Sequence, residues 1–216
     1  GWWPASYWSG GIALIVFFAE ASITGTLLPF FVEDVLKEEG SWVAVALSVQ
    51  YAAASLGQIL TGILADAIGH QRVLTALMLA NALLLNLQGH VRSIEALLVV
   101  RLLLGLATPY ALGLTWVAST APLTQLARAM AHTIMVAQAA VGVGGVIAGL
   151  LRGRDFATAC GIVSVAPIAN MVFLIGARPP RAVAQHTASG GCLRTVVEVM
   201  RIPPFAVVLW CIFVHG

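Results

Sequence analysis

Six apolar runs, each long enough to cross a lipid bilayer as a helix, govern what this chain can fold into. They cover Ser9 to Val32, Trp42 to Ala65, Val73 to Gly89, Ala96 to Ser119, Ala129 to Leu151 and Phe156 to Gly176. About 20 apolar residues in helical form match the hydrocarbon core. In that medium only helices and closed barrels satisfy their own backbone polar groups. A seventh run begins at Phe205 and extends to Gly216. Hydrophobic residues make up 60% of the 216 and charged residues 9%, whereas a soluble domain carries about 25% charged residues. Mean hydropathy is +0.95. One soluble core cannot hide this much apolar surface, so the sequence predicts a lipid bilayer as its solvent. The net charge of +2 is too weak to point to nucleic acid. Cys160, Cys192 and Cys211 are odd in number and lack paired spacing, and the five histidines lack ligand spacing. No disulfide framework, metal or cofactor is expected from them.

The connectors between runs are short and polar. Glu33 to Ser41, Asp66 to Arg72 and Arg152 to Asp155 carry much of the charge. The reading divides the chain into a six-helix bundle over residues 1–176, a basic linker over 177–204 and the start of a seventh helix over 205–216. Within the linker, Leu193, Val196, Val197 and Met200 fall at helical spacing, with Arg194 and Glu198 on the opposite face. This reads as a short amphipathic helix on the membrane surface, with a flexible tether as the alternative. Arg72, Arg128, Arg178, Arg181, Arg194 and Arg201 share one side of the membrane; Lys37, Arg92, Arg152 and Arg154 share the other. The larger set marks the cytoplasmic side. Trp2, Trp3, Trp8 and Trp42 lie near the expected interfaces and read as anchors.

Only two fixed charges fall deep inside the runs: Glu20 in the first and Arg101 in the fourth. A charge at that depth is unfavourable by about 2.5–3.5 kcal/mol on insertion scales, and such residues usually face the protein interior. Glu20 is a candidate to load and release a proton; the competing reading is a purely structural acid. Arg101 is a candidate to hold a neighbouring acid ionised or to bind an anionic group. Its competing reading is a side chain that snorkels to the interface. Gln50, Tyr51, Asn81 and Gln138 are candidate cavity residues. Interhelical hydrogen bonding, about 0.6 kcal/mol each, is the plainer explanation for them.

The connector after the second run reads Gly62-Ile63-Leu64-Ala65-Asp66-Ala67-Ile68-Gly69-His70-Gln71-Arg72. Gly62 permits close helix approach and Gly69 permits a turn with positive φ. Asp66 and Arg72 stand where helices end. This stretch resembles the signature loop between the second and third helices of the major facilitator superfamily, through Gly62, Leu64, Ala65, Asp66, Gly69 and Arg72. Ala67, His70 and Gln71 replace basic residues of that pattern. Three further segments lie in register. Glu20 followed nine residues later by Pro29 resembles the first-helix motif of drug:proton antiporters, with Glu in place of Asp. Arg101-Leu102-Leu103-Leu104-Gly105-Leu106-Ala107 is similar to an R-x-x-x-G-x-G motif. Gly142, Gly144, Gly145 and Gly149 fall where antiporters carry a Gly-Pro-x-x-Gly-Gly motif, with Gly145 at the Pro position and Ala148 at a Gly position.

The resemblance implies the N-terminal half of a twelve-helix fold, with six transmembrane helices as two inverted three-helix repeats and the start of a seventh. It also implies substrate bound near the midplane and alternating access. The nearest look is the group of drug:proton antiporters and vesicular amine transporters. The implied function is secondary active transport of a small organic solute, proton-coupled through Glu20 with Arg101 beside the pathway. Gly62, Asp66, Gly69 and Arg72 would form a cytoplasmic gate, and Gly142, Gly145 and Gly149 a packing or antiport motif. The implied partners are the lipid bilayer, the solute and the missing C-terminal half, because an apolar run that stops at Gly216 reads as a truncated chain. An uncoupled facilitator of the same fold, or a non-transporting scaffold if the chain ends there, are the alternatives. No catalytic Ser/His pair, aspartate pair or zinc pattern stands at membrane depth, so the sequence gives no reason to expect an enzyme.

Overall fold

A computed structural model describes residues 5–176 of the chain. The linker at 177–204, the seventh run at 205–216 and the anchors Trp2 and Trp3 lie outside the described residues. Seven α-helices form the described part: α1 (Ala5–Phe30), α2 (Ser41–Ile68), α3 (His70–His90), α4 (Ile94–Leu106), α5 (Tyr110–Thr120), α6 (Leu126–Leu151) and α7 (Phe156–Gly176). Because α4 and α5 follow one another within a single apolar stretch, they make six segments long and apolar enough to cross a membrane.

Each helix end has a local cause. Beyond Pro29, α1 gives way to a π-helical turn (Phe31–Val35), where Leu36 N–H donates to the Phe31 carbonyl at 3.1 Å. Gly69 separates α2 from α3 with φ +98° and ψ 138°, a conformation with no Cβ penalty for glycine. Ser93 caps α4, its Oγ accepting from Ala96 N–H at 3.3 Å. The fourth span is broken at Ala107 to Pro109, because Pro109 has no N–H and its ring obstructs the preceding turn. Thr108 N–H turns to the Gly105 carbonyl at 3.1 Å. The Ala107 carbonyl accepts from Asn81 Nδ2 of α3 at 2.8 Å. Irregular backbone at membrane depth persists where a neighbouring helix satisfies it in this way.

The helix pairing is symmetric. The first span packs on the fifth (α1 with α6), the second on the fourth (α2 with α4 and α5), and the third on the sixth (α3 with α7). Exchange each span with the one three places along, and this set of pairs maps onto itself. The second and fifth spans also share a composition at their contacts. The buried residues of α2 are Ala46, Ala53, Gly57, Thr61 and Ala65, and those of α6 are Ala129, Thr133, Ala137, Ala140, Gly144 and Ala148. Small side chains let backbones meet, which is how helices associate in lipid. A Cβ on Gly57 would stand 2.5 Å from the Leu106 oxygen and 2.8 Å from Leu106 Cα; one on Gly144 would stand 2.8 Å from the Ala19 oxygen. Large side chains fill the interior between spans instead, including Phe31 stacked on Phe156 with ring centroids 4.1 Å apart. The opposite faces of α2 and α6 are apolar and exposed: Leu56, Leu60, Val146 and Leu150 are 58–79% accessible. Water would not tolerate such faces in a row, whereas lipid does.

Candidate functional site

A cavity of about 320 Å³ opens among the first, second, fourth and fifth spans. From α1 come Phe17, Phe18, Ala21, Ser22 and Gly25, the i, i+1, i+4, i+5 and i+8 positions that lie along one helix face. Gln50 and Tyr51 enter from α2, Arg101, Leu104 and Gly105 from α4, and Val141 from α6. Thr108, in the break of the fourth span, completes the wall.

Arg101 is the charge in this wall. Only 1% of it is accessible, so it does not snorkel out of the bilayer core. Its Nη1 donates to Gln50 Oε1 at 2.6 Å, while Nε and Nη2 are buried without a hydrogen-bond partner. Gly105, one turn on, allows this arrangement: a Cβ there would collide with the Gln50 carbonyl oxygen and come within 2.7 Å of Ala53 Cβ. The glycine therefore brings α4 close enough to α2 for Arg101 and Gln50 to meet. Aromatic rings form the apolar part of the wall. Phe17 and Phe18 meet edge-to-face at 5.5 Å, and Phe18 meets Tyr110 in the same way at 5.7 Å.

Glu20 is buried, 5% accessible, yet it is not among the residues that line the cavity. Phe17, Ala21 and Ser22 take the cavity face of α1, and the side of α1 that carries Glu20 turns into the bundle. Glu20 Oε2 is buried with no hydrogen-bond partner. Its own backbone carbonyl accepts from Thr24 Oγ1 at 2.8 Å. Arg101 and Glu20, the two deep charges, are thus not brought to one wall.

The remaining expected residues divide similarly. Gln50 and Tyr51 line the cavity. Asn81 is buried and serves the broken span, donating to the Leu77 and Ala107 carbonyls. Gln138 lies on an exposed position of α6. At the turn between α2 and α3, Asp66 and Arg72 are exposed, Gly62 has open space around its Cβ position, and Gly69 supplies the positive φ. The neighbouring Gln71 Nε2 donates to the Leu174 carbonyl at 2.7 Å and ties this turn to α7. On α6, Gly142 and Gly149 have open space where a Cβ would point, and Gly145 has only Ser22 Oγ at 4.0 Å; the close approach is at Gly144. Beside it, Ser22 Oγ donates to the Val141 carbonyl at 2.8 Å. Among the described residues, no three of His, Cys, Asp and Glu come together as metal ligands.

Sequence reasoning did not single out Phe17, Phe18, Ser22 or Thr108. The signal for the first three is their shared helical face, which becomes informative only once the face turned to the cavity is known. At the end of α1 near α6, Tyr7 is a second such case. Its hydroxyl is 2.8 Å from Thr133 Oγ1, 3.2 Å from the Ala129 carbonyl and 3.3 Å from His132 Nδ1.

The family model described as the Major Facilitator Superfamily matches residues 10–216. The crystal structure of a mutant of the nucleoside transporter NupG is similar to this chain with a TM-score of 0.65 at 19% sequence identity. The likeness covers 94% of this chain and 53% of that one, so the chain spans about half the length of this relative. At that identity the similarity shows the fold. No curated protein matches the chain.

Proposed function

Given that the chain belongs to the Major Facilitator Superfamily and is an integral, multi-pass membrane protein, we propose that it is the N-terminal half of a secondary transporter for a small organic solute. The solute binds in the cavity walled by the first, second, fourth and fifth spans, and a second half of the same protein closes it from the opposite side. Transport proceeds by alternating access, as the two halves rock about that site. The observation that carries this reading is a cavity of small-molecule size holding one buried, partly unpartnered charge, Arg101.

Proton coupling is the finer part of the proposal. Glu20 supports it: a carboxyl buried in the bundle, with one oxygen unpartnered, can change its protonation state during a cycle. Because Glu20 lies off the cavity wall, it acts through the movement of α1 rather than by touching the solute. A proton exchanged against the solute, antiport, is the form that the resemblance of the Glu20 to Pro29 segment implies, whereas Gly145 and Ala148 on α6 depart from the antiporter pattern and favour the facilitator as the alternative. The exposed Asp66 and Arg72, with Gly62 and Gly69, act at the turn between α2 and α3 as the cytoplasmic gate.

The test uses the full-length protein in proteoliposomes enclosing a pH-sensitive dye. The panel holds cationic amines, organic anions and, because a structural relative is a nucleoside transporter, nucleosides. Solute-driven proton flux that Glu20→Gln abolishes is the expected result. Solute movement with no proton flux, unchanged in Glu20→Gln, rejects the coupling and leaves a facilitator. Failure of every panel member to move rejects transport of a small organic solute.

A further inference from the structure

Resting on the transport reading, we infer that the cavity selects an organic anion, a carboxylate on a flat apolar body, with Arg101 as its counter-charge. The guanidinium presents two edges. One nitrogen, Nη1, is occupied by Gln50 Oε1 at 2.6 Å, which fixes the plane of the group. Left over are Nε and Nη2, both buried and both without a partner. Those two nitrogens form the side edge of the guanidinium, whose parallel N–H bonds match the two oxygens of a carboxylate.

Charge points the same way. A guanidinium stays charged at neutral pH, and a buried charge without a counter-ion is strongly unfavourable. The described wall of the cavity includes no Asp or Glu, and the buried acid of α1, Glu20, is not part of it. A carboxylate ligand supplies the missing negative charge and both missing acceptors at once. A cationic amine would instead meet a fixed positive charge of its own sign.

Shape sets the rest of the ligand. A cavity of about 320 Å³ stands at the small end of ligand sites, which run from about 300 to 1,000 Å³. Phe17, Phe18 and Tyr51 line it, so a ring can lie against rings. Ser22 Oγ is already committed to the Val141 carbonyl. One aromatic ring bearing one carboxylate fits these demands.

The experiment compares benzoate, benzyl alcohol and benzylamine, which share a ring and differ in charge, on the full-length protein in nanodiscs. Binding is read by calorimetry and by ligand-dependent thermal unfolding. Benzoate is expected to bind about tenfold or more tighter than benzyl alcohol, as one added charge-assisted pair implies, with benzylamine weakest. Arg101→Lys keeps the charge but loses the side edge, so it narrows that gap. Arg101→Met removes the gap while leaving benzyl alcohol bound. Should Arg101→Met not fold, Gln50→Leu keeps Arg101, frees its plane, and is expected to narrow the gap as Arg101→Lys does. Benzoate binding no tighter than benzyl alcohol, or benzylamine binding tightest, overturns the inference; the latter would mean that an acid of the other half neutralises Arg101. Uptake of labelled benzoate and benzylamine, followed in parallel, separates the two readings. Anion-selective binding without uptake rejects transport and keeps the anion site, whereas amine-selective uptake rejects the anion site and keeps transport.

Discussion

Gly57→Ala tests whether the second and fourth spans meet backbone to backbone. A methyl group at Gly57 would stand 2.5 Å from the Leu106 oxygen, 2.8 Å from Leu106 Cα and 2.9 Å from the Gly105 oxygen. Ordinary contacts of this kind begin near 3.4 Å, so the helices must separate by roughly the 0.5–1 Å over which packing contacts fade. All three obstructing atoms are backbone, so no side chain can rotate out of the way. Overpacking of this type is unfavourable by about 1–3 kcal/mol. It is partly masked, because alanine is favoured over glycine inside a helix by about 0.8–1.0 kcal/mol. Gly62→Ala, five residues along the same helix, has open space at its Cβ position and gains the propensity term alone. The difference between the two variants isolates the contact and should amount to about 1–3 kcal/mol. Thermal unfolding of the purified protein in one detergent, at one concentration, measures that difference. In addition, Gly105→Ala should weigh less in a Gly57→Ala background than alone, since both glycines open the same seam. Gly57→Ala and Gly62→Ala variants of equal stability would refute the backbone contact.

Glu20→Leu removes a buried, unpartnered oxygen and should raise stability by about 1–3 kcal/mol and, on the proposed coupling, end solute-driven proton flux; a loss of stability on unfolding would show that the carboxyl has a partner. Asn81→Leu leaves the Ala107 carbonyl of the broken span without its donor. It should destabilise the protein by about 1–3 kcal/mol, and an unchanged unfolding transition would mean that the break is satisfied elsewhere. Tyr7→Phe deletes the hydroxyl that meets Thr133, Ala129 and His132. It should weaken the end of α1 against α6 by about 1 kcal/mol, seen as faster hydrogen exchange confined to those two segments.

The six spans were legible because crossing a bilayer depends on a sum, length times apolarity, that a sequence displays without knowledge of packing. The sixth run, Phe156 to Gly176, is the helix found. The fourth run, Ala96 to Ser119, reads as one span with a kink at Pro109, and in the structure that proline divides it into α4 and α5. A proline alone does not tell a kink from a break; the difference lies in Asn81, 26 positions earlier, which satisfies the exposed carbonyl. Burial at Glu20 and Arg101 follows from depth, and the interior proved to hold both. Which side of the helix each occupies does not follow, because lipid and protein interior are equally apolar and leave almost no helical phase in the sequence. For the same reason the glycines of α6 look alike on paper. Only packing distinguishes Gly144, pressed on Ala19 and Ser22, from Gly142 and Gly149, which face open space.

The seams at Gly57 and Gly144 have a mechanical consequence. Two helices in backbone contact have no compliant layer of side chains between them, so a push on one is passed to the other without slack. The first and fifth spans are then stiffly joined, and so are the second and fourth, with the cavity walled by both pairs. Under the rocking of the two halves proposed above, each pair is expected to turn as a whole with its half, so that a small rotation about the cavity becomes a large displacement at the membrane surfaces.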